Sequence, residues 1–272
     1  GYGMGFSVED EFSYLTFIIL LIGAACISAG TLSMNQVQEI KQDSAMNRTK
    51  HRPLVTGKMS VKFAFSLSSF LIVAGLACLY YANPLTFWIG LSILIMYNGL
   101  YTMHWKKNWP FAAVPGAIPG ALPIVMGFSA ANNNILSPEC VYLFLVMFLW
   151  QMPHFWSLAI RYAKDYADGK FPVLPTVIGA ERTKYHISFY VWAFAFIGIM
   201  NPFFVEFSYA YFILVIPFAV TLVWKFIKYF HTEDEKAWFP FFMLTNFSML
   251  AFIFSPLIDK WTPMIFGVSL GL

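Results

Sequence analysis

Residues 12–34 read FSYLTFIILLIGAACISAGTLSM, an apolar run without a single charged side chain. At 1.5 Å per helical residue, about 20 such residues cross a hydrocarbon core of about 30 Å. The run then continues directly into the polar NQVQEIKQD at residues 35–43. A soluble protein would have to bury that first stretch on every side. The rest of the 272-residue chain shows that it does not, since 59% of all residues are hydrophobic and only 11% are charged. An ordinary globular chain is about 25% charged. This composition excludes disorder, collagen-like repeats and a secreted disulfide scaffold, and it marks an all-α polytopic protein embedded in a lipid bilayer.

Further apolar stretches lie at 61–82, 84–104, 111–131, 138–160, 186–205, 208–230 and 238–258, so eight transmembrane helices are expected. The basic residues provide an independent test. Lys41, Arg48, Lys50, Arg52, Lys58 and Lys62 fall in one connection, and Lys106 and Lys107 in another. Arg161, Lys164, Lys170, Arg182 and Lys184 follow, then Lys225, Lys228 and Lys236, all in alternate connections; only Lys260 falls opposite. The positive-inside rule assigns that basic face to the cytoplasm, or to the matrix of a mitochondrion. A net charge of +3 is too small to suggest nucleic-acid binding. Cys26, Cys78 and Cys140 are far apart in apolar surroundings and read as small hydrophobic fillers. The fourth stretch carries Pro110, Pro115, Gly116, Pro119, Gly120 and Pro123. A kink there is expected, either purely structural or also shaping a cavity wall.

If the first helix continues past Met34, then Asn35, Glu39 and Asp43 lie four apart and share one face. Two carboxylates and an amide oxygen form a hard oxygen set suited to Mg²⁺, which favours a few carboxylates plus phosphate oxygens. Arg48, Lys50 and Arg52 follow closely and have the chemistry to hold phosphate. The alternative is a solvated helix end with topology-setting cations. A second acid-and-base helix end occurs four spans later, where Asp165 and Asp168 are three apart beside Arg161, Lys164 and Lys170. His154, within Pro153-His154-Phe155-Trp156, is a candidate contact to a flat aromatic substrate, a metal ligand, an acid or base, or simply a core imidazole. The remaining histidines lie near the basic face, which argues against a two-haem b-type cytochrome.

The run Asn35-x₃-Glu39-x₃-Asp43-x₄-Arg48-Thr49-x₂-Arg52-Pro53-Leu54 resembles the first signature of the protohaem IX farnesyltransferases, or haem O synthases. Trp150-x₂-Pro153-His154-Phe155-Trp156, with Asp165-Tyr166 and Pro172-x-Leu174-Pro175, resembles the second; Tyr101-Thr102 and the Gly/Pro-rich span also fit. These proteins form a branch of the UbiA-type intramembrane prenyltransferase superfamily, and the resemblance covers nearly the whole chain. It implies a single transmembrane prenyltransferase domain over residues 1–272, with helices around a central cavity. Nine spans are usual in the superfamily. The ninth is expected to precede residue 1, which would make the chain N-terminally truncated.

The resemblance further implies farnesyl diphosphate and haem b as substrates and haem O plus diphosphate as products. Asn35, Glu39, Asp43 and Asp165 would be catalytic residues that hold Mg²⁺, with Asp168 a further candidate ligand; Asp165 matches the haem branch better than Asp168 does. Arg48, Arg52 and Lys164 would bind the diphosphate. His154 and Trp156 would contact haem, Trp156 also sheltering an allylic cation. The expected location is a bacterial inner membrane with the motif loops cytoplasmic, or alternatively a mitochondrial inner membrane. Haem A synthase or a terminal oxidase assembly factor is the implied partner. Two rivals stand beside this reading. One is a UbiA-type prenyltransferase acting on a quinone precursor. The other is a secondary transporter, whose acids would lie near mid-membrane rather than toward the basic face.

Overall fold

The structure is a computed structural model that describes residue 3 and residues 13–201, 209–232 and 235–266. Among these the regular structure is helical: α1 (Tyr14–Gln38), α2 (Ile40–Ala45), α3 (Val61–Ala82), α4 (Pro84–Leu94), α5 (Ala113–Ser129) and α6 (Pro138–Arg161). The series continues with α7 (Ala163–Asp168), α8 (Leu174–Ile178), α9 (Ala180–Ile199), α10 (Tyr209–His231) and α11 (Trp238–Phe266). α4 runs on through a π-helical segment, Ile95–Trp105, to Asn108.

The count of eight spans needs correcting. Six of the described helices are long and apolar enough to cross a membrane: Tyr14–Gln38, Val61–Ala82, Pro84–Asn108, Pro138–Arg161, Tyr211–His231 and Trp238–Asp259. The Gly/Pro-rich α5 is apolar but shorter, at 17 residues. α9 starts six residues earlier than expected and so takes Glu181, Arg182 and Lys184 into its first turns. Residues 202–205 of the expected sixth span, and the side chain of Lys260, lie outside the described residues. The protein is an integral membrane protein.

The helix starts are written in the sequence. Ser13 accepts the Thr16 amide at 3.3 Å and Ser60 accepts that of Phe63 at 3.2 Å. Asn83 ends α3 and, with its side chain accepting the Leu85 amide at 2.8 Å, also caps α4; Pro84 fills the first helical position, where no amide partner is needed. Two long helices thereby meet through one extended residue.

The chain divides into two compact units, Gly1–Asn133 with Ala159–Ala180, and Asn134–Leu158 with Glu181–Leu272. In the first, α1 and α3 pack through small residues. A Cβ at Gly75 would sit 2.8 Å from the Ile27 amide nitrogen, and one at Gly30 would sit 3.0 Å from the Ser68 carbonyl oxygen. Helices in lipid gain their association from such close approach, since the solvent is as apolar as the side chains. Pro119 and Pro123 lie inside α5, and Gly116 leaves room for the Tyr101 ring, which a Cβ would meet at 2.6 Å. In the second unit, the Tyr142 hydroxyl donates to the Phe252 carbonyl at 2.9 Å and pairs with the Tyr211 hydroxyl at 3.0 Å, which itself donates to the Gly198 carbonyl. Lys184 donates to the carbonyls of Tyr229 and Thr232 at 2.9 and 3.0 Å, closing the C-terminal end of α10 with a cation.

Candidate active site

α1 does not continue smoothly into the acidic run. It ends at Glu39, whose backbone (φ −114°, ψ 14°) leaves the helical region before α2 begins. The break preserves the turn spacing, because the Glu39 amide donates to Asn35 at 3.0 Å and the Asp43 amide donates to Glu39 at 2.8 Å. Asn35, Glu39 and Asp43 are therefore brought one turn apart as expected, and all three are buried, at 9%, 2% and 1% exposure.

A buried carboxylate requires a partner, and each acid has a cation. Lys106 Nζ lies 2.7 Å from Glu39 Oε2. Arg52 donates to Asp43 Oδ2 at 2.5 Å, and Thr49 donates its hydroxyl to the Asp43 carbonyl at 2.9 Å. Asn35 donates Nδ2 to Thr102 Oγ1 at 3.2 Å, which leaves its carbonyl oxygen as the acceptor. Glu39 Oε1 is buried without any hydrogen bond. An acceptor stranded in that way costs roughly 1–3 kcal/mol.

The second helix end repeats the device. α6 breaks at Tyr162 (φ −109°, ψ 26°), close to the conformation of Glu39, and is followed by the equally short α7. Asp165 Oδ2 accepts the backbone amide of Arg48 at 3.1 Å. The Arg48 guanidinium lies over the rings of Tyr162 and Tyr166, at 5.5 and 5.6 Å. Burial holds the Tyr166 phenol above its ordinary range; Arg48, beside it, pulls the other way without cancelling the effect. Beneath these groups Met46, Ala159, Tyr166, Phe171 and Val173 form one buried apolar cluster. Lys106 reaches both sides, since its ammonium that pairs with Glu39 also lies 4.5 Å over the Phe171 ring. Within this unit the structure thus joins Asn35, Glu39, Asp43, Arg48, Arg52 and Asp165. Lys164 and Asp168 are exposed on α7.

Lys106, Thr102 and Tyr166 carry the site without having been singled out as site residues. Lys106 had a visible signal, a cation closing an apolar span, but nothing in the sequence pairs it with an acid 67 positions away. The π-helical segment that bears Thr102 also supplies Asn98, which donates to the Thr31 carbonyl at 3.0 Å and to Gln38 Oε1 at 3.2 Å. Irregular helical turns of this kind recur at functional sites.

His154 and Trp156 belong to the other unit and differ from each other. The His154 ring lies between those of Trp150 and Phe242, with centroids 4.8 and 4.9 Å away, and its Nδ1 is buried without a hydrogen bond. Trp156 is 1% exposed, with its ring edge-on to Tyr190 at 5.4 Å and His186 at 6.2 Å, packed as a core residue.

Whether the acidic end suits a divalent cation can be judged from its atoms. No three His, Cys, Asp or Glu side chains gather as a metal cluster among the described residues; Lys106 and Arg52 take up the carboxylates instead. The donor set nevertheless fits a hard ion, with the amide oxygen of Asn35, the unbonded Oε1 of Glu39 and the carboxylate of Asp43 in successive turns.

The chain is similar to known proteins in sequence and in fold. The chain is 44% identical over 261 residues to the Protoheme IX farnesyltransferase of Bdellovibrio bacteriovorus, covering 96% of this chain and 89% of the relative. It is 34% identical over 227 residues to Protoheme IX farnesyltransferase 1 of Bacillus subtilis, covering 82% and 71%. Among solved structures, the apo UbiA homolog from Aeropyrum pernix K1 superposes with a TM-score of 0.74 at 15% identity, over 95% of this chain and 97% of that one. The UbiA homolog from Archaeoglobus fulgidus bound to DMAPP and Mg²⁺ follows at 0.64 and 16%, over 93% and 91%. Residues 1–252 match the UbiA prenyltransferase family, and the chain belongs to it.

Proposed function

We propose that this protein transfers a farnesyl group from farnesyl diphosphate to a vinyl group of haem b. The observation that carries the reading is the 44% identity, over nearly the full length of both chains, to a relative named for that reaction. The allylic C–O bond breaks and diphosphate leaves. A C–C bond forms between the farnesyl C1 and the terminal vinyl carbon, water adds to the inner vinyl carbon, and one proton is released. Haem b, farnesyl diphosphate and water are consumed; haem O and diphosphate are produced.

Charge balance supports a divalent cation in this step. Glu39 and Asp43 are already paired with Lys106 and Arg52, so an arriving diphosphate meets two cations that are committed to carboxylates. Asn35, Glu39, Asp43 and Asp165 would hold Mg²⁺, which supplies charge neutralisation of the leaving diphosphate. Asp168, on the exposed side of α7, is a further candidate ligand. Arg48 and Arg52, joined by Lys164 from the exposed side of α7, bind the diphosphate oxygens and stabilise the charge that develops as it departs. His154 orients haem b, a substrate rather than a resident cofactor, between aromatic walls. The whole chain acts as one prenyltransferase domain. Its bacterial relatives support placement in a bacterial inner membrane with the basic connections cytoplasmic, where haem A synthase or an oxidase assembly factor would take the product.

The test is a mass-resolved assay of purified protein in lipid with haem b, farnesyl diphosphate and Mg²⁺. A haem product heavier by one farnesyl group plus water is expected, lost in Asp43→Asn and in excess chelator. Prenylation of a quinone precursor with haem b left unchanged would instead place the chain in the quinone branch.

A further inference from the structure

We propose that Tyr162 and Tyr166 are positioning residues whose rings hold the Arg48 guanidinium in place as a cation with its charge available to the diphosphate. The inference rests on the farnesyl diphosphate reading above and deepens it, since that reading gives neither tyrosine a role in the step. Lys106, Arg52 and Arg48 are held in two different ways. Lys106 lies 2.7 Å from Glu39 Oε2 and Arg52 donates to Asp43 Oδ2 at 2.5 Å, so both are committed to carboxylates. Against the Arg48 guanidinium the structure sets aromatic rings instead, with the Tyr162 and Tyr166 centroids 5.5 and 5.6 Å away. A ring attracts a cation through its quadrupole. It carries no net charge, so it fixes the position of the cation and leaves the charge to act on an anion. The guanidinium carries five N–H donors in a planar fork that suits phosphate oxygens.

Both rings come from one helix face that grips a single residue. The Tyr166 amide donates to the Tyr162 carbonyl at 3.1 Å, so the break at Tyr162 preserves the turn and Tyr162, Asp165 and Tyr166 share a face. All three engage Arg48: Asp165 Oδ2 accepts its backbone amide at 3.1 Å, and the two rings take its side chain. The inner wall of this cradle is fixed. Tyr166 is 6% exposed, belongs to the buried cluster with Met46 and Phe171, and accepts the Phe171 amide on its carbonyl at 2.9 Å. Tyr162, 36% exposed, forms the outer wall. An arginine moving freely in water loses rotamer freedom when it meets an anion, which weakens binding. Here much of that ordering is complete before the substrate arrives.

The experiment measures farnesyl diphosphate binding to the full chain in lipid nanodiscs by calorimetry, with Mg²⁺ and without haem b, so that no acceptor is present. Tyr162→Leu and Tyr166→Leu are each expected to weaken binding about 3–10-fold, the scale of one cation–π contact at a partly buried site. Tyr162→Phe and Tyr166→Phe keep a ring face and are expected to bind within about 2-fold of the wild type. In an Arg48→Ala background the leucine substitutions are expected to have no further effect, a coupling that a role in packing alone would not produce. Melting curves check folding; should Tyr166→Leu fail to fold, Tyr162→Leu on the outer wall decides the matter. Equal losses in the leucine and phenylalanine variants would overturn the ring-face contact. Wild-type binding in the leucine variants, or leucine losses that persist in Arg48→Ala, would overturn the positioning of Arg48. An Arg48→Ala protein that binds like the wild type would remove Arg48 from the diphosphate site and this inference with it, leaving the transfer reading to the other cations. Absence of farnesyl diphosphate binding by the wild type would overturn that reading itself.

Discussion

Lys106 pairs with Glu39 at 2.7 Å, joining the end of the third long span to the end of the first across 67 residues. The lysine side chain is 17% exposed and the glutamate 2%, so the pair is largely withdrawn from water. Removing one member strands the other. Lys106→Met should therefore destabilise the protein by about 3–5 kcal/mol, and the double variant Lys106→Met/Glu39→Gln should recover most of that loss. Thermal unfolding in detergent, followed by monodispersity, checks it. Equal losses in the single and double variants would show that the pair is not the source.

Arg48 and Asp165 separate side-chain chemistry from loop structure. Asp165 is bonded by the Arg48 backbone amide, whereas the guanidinium lies exposed over Tyr162 and Tyr166. Arg48→Ala keeps the amide and should change stability by less than about 1 kcal/mol. It should nevertheless lower kcat/KM for farnesyl diphosphate by about 100-fold, the scale of losing one preorganised charge. Asp165→Ala strands that amide and should lower both stability and turnover. The comparison requires only kinetics and melting curves on two variants.

What the sequence made legible here was periodic, and what it hid was long-range. Asn35, Glu39 and Asp43 recur every fourth residue, and the structure does bring them together. The helix break that separates Glu39 from α2 has no proline or glycine to announce it, because Gln38-Glu39-Ile40 is an ordinary helical tripeptide. The span count failed at α9 for a related reason. Helix formation does not stop where apolarity does, so Glu181, Arg182 and Lys184 were drawn into a helix whose apolar window begins later. Lys106 could be read only as a topology-setting cation, since its pairing is a property of tertiary packing. Trp156 shares a motif with His154 yet packs in the core, because residues two apart on a helix face different ways.

Tyr166 gives a pH dependence with a definite sign. Its phenol is held above the ordinary 10.0, mainly by burial. A group whose folded pKa is raised contributes stability that is fully present below the unfolded value and lost as pH rises through the folded one. Stability should therefore show no Tyr166 contribution to any change between about pH 6 and 9, and should fall above about pH 10 as the buried phenol is forced to ionise. Tyr166→Phe should remove that alkaline component while leaving the neutral-pH profile in place. A steeper alkaline loss in the phenylalanine variant would contradict the assignment.

The packing of α1 on α3 sets a steric test that is independent of any ligand. A Cβ at Gly75 would meet backbone on both counts, 2.8 Å from the Ile27 nitrogen and 2.9 Å from the Gly23 oxygen, and backbone cannot swing aside as a side chain can. Gly75→Ala must push the two helices apart, at a cost of about 1–3 kcal/mol. Gly99 is the control, since nothing lies within 4 Å of its Cβ position, and Gly99→Ala should be neutral or slightly stabilising because alanine restricts the unfolded chain. The displacement at Gly75 should also reach the site. Asn35 and Glu39 sit at the far end of α1, so turnover in Gly75→Ala should fall further than in Gly99→Ala even where both proteins remain folded. Matched melting curves and turnover numbers for the two alanine variants would decide this, and a Gly75→Ala protein as stable and active as Gly99→Ala would mean that the helices have slack the close contacts do not reveal.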